Sequence, residues 1–89
     1  MYTIKFTKDA QKQLAILAKN SPSAMKKLAK LLEEIKEHPR NGTGQVEQLK
    51  HYQEETWSRR ITREHRLVYR IHDDIVEVLV LSVFGHYSD

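Results

Sequence analysis

At 89 residues, with a net charge of +3 and no cysteine, the chain is expected to form one domain over residues 1–89, without disulfides or thiolate metal sites. A chain this small buries only ~60–65% of its unfolded surface, so a site belongs in a shallow groove rather than an enclosed cavity. Met1-Tyr2-Thr3-Ile4-Lys5-Phe6 alternates and shows no signal peptide, and the apolar stretch around Val78 to Phe84 is too short to span a bilayer; a cytoplasmic protein making no membrane contact is expected.

Tyr2, Ile4 and Phe6 alternate with polar residues, which predicts a half-buried strand. Thr7 is placed to cap a helix whose apolar positions are Ala10, Leu14, Leu17 and Ala18. Ser21 followed by Pro22 is a start signal for a second helix, with Met25, Leu28, Ala29, Leu32 and Ile35 as its stripe and His38-Pro39 as its stop. The loop Arg40-Asn41-Gly42-Thr43-Gly44 reads as turn chemistry. A short strand over Val46 to Lys50, strands at Trp57 to Thr62 and Arg66 to His72, and a most apolar, central strand at Ile75 to Phe84 follow. The fold class is α+β: two helices from the N-terminal half on one face of a mostly antiparallel sheet of four to five strands.

Charge is unevenly distributed. Residues 1–32 hold seven lysines and one acid, whereas five arginines lie between positions 59 and 70. Most of the lysines read as solvated helix faces, while arginine suits fixed, bidentate phosphate contacts. Alternation places Trp57, Arg59 and Ile61 on one face and Ser58, Arg60 and Thr62 on the other. In the next strand Leu67, Tyr69 and Ile71 form the apolar set, which leaves Arg66 on the open face near Arg60. The pair is either a phosphate clamp or two surface arginines bridged to Glu47, Glu64 or Glu77. None of the five histidines has metal-ligand spacing, so no metal or other cofactor is expected. By residue pattern alone, Gly85-His86-Tyr87 is either a frayed tail or a histidine reaching the open face.

The blocks Glu47-Gln48-Leu49-Lys50-His51, Trp57-Ser58-Arg59-Arg60-Ile61-Thr62 and Glu64-His65-Arg66-Leu67-Val68-Tyr69, with the late His86-Tyr87, resemble the YoeB/Txe family within the RelE-like superfamily. The likeness runs from the opening strand to the His-Tyr pair. It implies a RelE-like fold and a type II toxin, a ribosome-dependent endoribonuclease that cleaves mRNA in the ribosomal A site and inhibits translation. Its implied partners are message on the ribosome and a cognate antitoxin; the basic groove and small core favour an acidic, partly disordered antitoxin segment, and the oligomeric state, monomer or homodimer, is left open. By resemblance, Glu47 is the general base, Arg66 the phosphate-stabilising residue, His86 the general acid and Tyr87 a substrate contact, with Lys50 and Arg60 as supporting basic residues. Ser88 and Asp89 follow the His-Tyr pair, a departure from the family pattern. The alternative is a non-catalytic RNA-binding or antitoxin-partner module using the same basic residues.

The chemistry calls for such a set. RNA carries its own nucleophile, the 2′-hydroxyl. Cleavage requires removal of its proton, stabilisation of the charged phosphorane and protonation of the leaving 5′-oxygen. An arginine fork suits the second step and a histidine, with a reference pKa near ~6.5, the third. A carboxylate with a reference pKa near ~4.3 is a weak base at neutral pH, and nearby arginines weaken it further. Positioning by the ribosome would then carry much of the catalysis.

Overall fold

The computed structural model describes residues 1–85. Its elements are β1 (Thr3–Phe6), α1 (Lys8–Asn20), α2 (Pro22–Glu37), β2 (Glu47–Leu49), β3 (Thr56–Arg60), β4 (Arg66–His72), a 3-10 turn (Asp73–Ile75) and β5 (Glu77–Ser82). They form a five-stranded sheet in the order β1-β5-β4-β3-β2. β2 to β5 pair antiparallel, and β1 joins parallel to β5.

The helices start where the sequence sets them. Thr7 Oγ1 accepts the Ala10 N–H at 3.1 Å, capping α1. Ser21 serves both helices: its N–H closes α1 on Leu17 O at 2.8 Å, and Pro22 opens α2. The Ser21 side chain makes no capping hydrogen bond, so the missing N–H of proline is the start signal that operates here. The buried stripe of α2 is Ala24, Leu28, Leu31 and Ile35, rotated from the expected one, and Ala29 is exposed. Against these pack Leu67, Tyr69, Ile71, Val78 and Val80 from the sheet, with Ala10 and Leu17 from α1.

β5 is two residues shorter at each end than its apolar run predicts. Ile75 closes the 3-10 turn and Val76 takes a left-handed φ of +51°, so both are exposed and the strand begins only at Glu77. β5 is interior, but β4 is the middle strand, because β1 adds beyond β5. Pairing also resolves the faces of β5: Ile71 opposes Val78 and His72 opposes Glu77, which sends Val78 and Val80 to the helices.

Arg59 is the largest fully buried side chain. It lies on the helix-covered face, ion-paired with Glu34. Its Nε donates to Tyr69 Oη at 3.0 Å, and its Nη2 donates to the carbonyls of His38 at 2.6 Å and Asn41 at 2.8 Å. Tyr69 in turn donates to Pro39 O at 2.7 Å. One buried cation and one phenol thus satisfy the carbonyls of the loop leaving α2. Glu34 also accepts the Thr43 N–H at 2.6 Å, a bond that, with the Arg59 guanidinium, holds its carboxyl below the usual range. Gly42 is required at this junction: its φ is +126°, and a Cβ there would stand 2.1 Å from Glu34 Oε1.

Candidate active site

The face of the sheet away from the helices carries the basic residues. Register places Arg60 directly opposite Arg66, and Ser58 opposite both Glu47 and Val68. Direct partners share a face, so Glu47, Ser58, Arg60 and Arg66 come together across three strands. The Arg66 guanidinium lies diagonally over Ser58. Nε and Nη2 donate to Ser58 Oγ at 3.1 and 3.0 Å, and Nη2 also donates to Gln45 O at 2.9 Å. Arg60 donates Nε–H to Thr62 O at 3.3 Å, while its backbone N–H donates to Gly44 O at 2.6 Å.

The Gln45 carbonyl reaches Arg66 because of the loop before β2. Gly44 and Gln45 both take positive φ, +97° and +50°, which turns the chain along Arg60. The same loop is held at its start by Arg59. The buried face of β3 therefore fixes the loop, and the loop supplies part of the setting of Arg66 on the open face.

Lys50 follows β2 in an exposed turn and lines an open depression of about 480 Å³ with Tyr52 and Gln53. Lys50 directly follows the strand that carries Glu47 but lies outside its register with β3. His86 and Tyr87 lie outside the described residues. The residue before them, Gly85, accepts the Arg66 N–H at its carbonyl at 2.9 Å and donates its own N–H to His65 Nδ1 at 2.8 Å. Sequence reasoning does not single out Ser58, Gln45 or His65. A small polar residue diagonal to a strand arginine is the available signal for Ser58; nothing local marks the other two. Among the described residues, no three His, Asp or Glu side chains group to hold a metal ion, and no helix is long and apolar enough to cross a membrane.

Two helices on one side of a five-stranded mixed sheet is the arrangement of the RelE- and YoeB-fold toxins, and in this chain the opposite face carries the Arg60–Arg66 pair. The family model of the YoeB-like toxin of the bacterial type II toxin–antitoxin system matches residues 6–87, and the chain belongs to that family. It is 43% identical over 63 residues to toxin YoeB of Escherichia coli K12, covering 71% of this chain and 73% of that one. The YoeB/ParE toxin from Agrobacterium tumefaciens superposes with a TM-score of 0.88 at 29% identity, over 96% of this chain and 99% of the other. The YoeB dimer from Staphylococcus aureus gives 0.86 at 32% identity, over 97% and 98%. The same organism's YoeB is also solved in a YoeB–YefM complex, with a TM-score of 0.82 at 32% identity, over 98% and 99%.

Proposed function

We propose that this YoeB-family toxin is a ribosome-dependent endoribonuclease, cutting message in the A site by attack of the 2′-hydroxyl on the adjacent phosphate. The observation that supports this best is Arg66, held by three hydrogen bonds to Ser58 and Gln45 and directly opposite Arg60. A guanidinium fixed in this way can meet a developing phosphorane without reorganising, which is the condition for transition-state electrostatics to count.

In this reading Glu47 takes the 2′-hydroxyl proton or orients the basic residues that meet the phosphate. Arg66 stabilises the phosphorane. Arg60 and Lys50 hold the flanking backbone. His86 donates a proton to the leaving 5′-oxygen, and Tyr87 contacts the substrate. Each proton transfer contributes ~10²–10⁴-fold. An open sheet face cannot impose in-line geometry on a flexible message by itself, so the ribosome supplies that geometry.

The partner follows from the same surface. The Staphylococcus relative is solved with YefM, and this chain has an exposed basic face and a small core. It is expected to bind an acidic antitoxin segment that orders on binding, and to pair with a second copy of itself as the Staphylococcus toxin does.

The deciding experiment maps message ends on programmed ribosomes for the wild type, Arg66→Ala and His86→Gln. Cuts confined to the A site and lost in both variants support the reading. A protein that binds ribosomes and arrests translation with message intact is a non-catalytic module, and the reading fails.

A further inference from the structure

The β3–β4 hairpin grips the chain where it leaves β5, through a residue that the proposed chemistry does not use. His65 Nδ1 accepts the Gly85 N–H at 2.8 Å, and its imidazole stacks parallel on the Phe84 ring with centroids 4.9 Å apart. One residue further along, at the start of β4, the Arg66 N–H donates to Gly85 O at 2.9 Å. Gly85 is therefore held at both its N–H and its carbonyl, in a left-handed conformation with φ of +66°.

The grip comes from a firm base. The N–H groups of Ile61 and Thr62 both donate to His65 O, and the His65 N–H donates to Thr62 Oγ1 at 3.1 Å. A ring nitrogen that accepts an N–H carries no proton, so the imidazole proton lies on Nε2. Phe84 is 38% exposed, so burial alone does not hold it; its ring stacks on His65 while its backbone meets Ser82 Oγ. Glycine loses more freedom on ordering than any other residue, which makes Gly85 the position most in need of such bonds.

We propose that His65 is a positioning residue: through Nδ1 and its ring face it fixes Phe84 and Gly85 beside Arg66, and so sets the point from which the chain continues into His86 and Tyr87. The inference rests on the reading of His86 as general acid. A proton donor works within ~2.6–3.2 Å of its acceptor, and a misplacement of ~1 Å costs about 10²-fold in rate. His65 touches neither substrate nor reacting atoms in this scheme; it acts through Gly85.

Two substitutions separate its parts. His65→Phe keeps the stack and removes the acceptor. His65→Asn removes the ring but offers Oδ1 close to where Nδ1 stood. Gly85 amide exchange is followed by NMR, and kcat and KM are measured on programmed ribosomes with His86→Gln in parallel. His65→Phe is expected to speed Gly85 exchange and lower kcat by ~10–100-fold at unchanged KM, and His65→Asn, which keeps the hydrogen bond but not the stack, to recover part of both. If His65→Phe does not fold, Phe84→Ala must give faster exchange and lower kcat in its place. Faster exchange with kcat unchanged, or protection retained while kcat falls, overturns the proposal, as does an asparagine variant whose kcat is no higher than that of the phenylalanine variant. Wild-type turnover in His86→Gln would instead overturn the acid role of His86 and the positioning role with it, while the exchange data still show whether His65 grips Gly85.

Discussion

Arg66 and Ser58 are joined across the β3–β4 ladder by two hydrogen bonds to one oxygen, from Nε at 3.1 Å and from Nη2 at 3.0 Å. The two donors hold the Nε–Nη2 edge of the guanidinium on Ser58, the bond from Nη2 to Gln45 O restrains its tilt, and Ser58 is itself fully buried. A hydroxyl beneath the sheet's open face thus governs how the arginine presents itself there. Replacing Ser58 with alanine is expected to leave the fold intact and to lower single-turnover cleavage by ~10–100-fold, the scale of a displaced catalytic group. Cleavage on programmed ribosomes and thermal unfolding of the same preparation check both halves.

Arg60 has a different part. It opposes Arg66 in the ladder and, in the proposed scheme, holds backbone rather than the reacting phosphate. Arg60→Ala should raise KM more than it lowers kcat, and should reduce the slope of log affinity against log salt by about 0.7–0.9, the contribution of one phosphate contact. Binding to ribosome-bound message over a range of salt concentrations measures it.

Arg59 is a stability residue. Truncation to methionine would leave the carbonyls of His38 and Asn41 without their Arg59 donor and would remove the cation from Glu34, which keeps its bonds to Thr43. Each buried acceptor left without its donor costs about 1–3 kcal/mol, so the total is a large share of the stability of a domain this size. Urea unfolding should show the loss. Arg59→Lys should not restore it, because one ammonium cannot reach Glu34, Tyr69 and two carbonyls together.

Acid should loosen the same region. The Glu34 carboxyl is held below its ordinary 4.5, first by the Thr43 N–H and further by Arg59. A depressed carboxylate contributes stability that is fully present above its unfolded value and is lost as pH falls through its folded value. The stability difference between wild type and Glu34→Gln should therefore be constant above about pH 5 and shrink below 4.5. Glu55, lowered chiefly by Arg40, and Asp73, lowered chiefly by Tyr2, act in the same direction. Unfolding curves across this pH range test the sign.

Local pattern was enough to set the elements and most of their faces. Alternation in β3 and β4 and the caps at Thr7 and Pro22 are properties of short segments, and they place Arg60 and Arg66 on one face without reference to the fold. Family blocks supplied the roles proposed for Glu47 and Arg66. The remainder came from contacts between distant segments. The doubly apolar β5 has no readable phase, and only its register with β4 and β1 turns Val78 and Val80 inward. The burial of Arg59 depends on Glu34 being 25 residues away in sequence yet adjacent in space. The setting of Arg66 likewise depends on Gln45, 21 residues distant, and the hold on Gly85 on His65, 20 residues distant. Periodicity reports which way a side chain leaves its own strand. Which partner it meets is set by packing between segments that no local pattern connects.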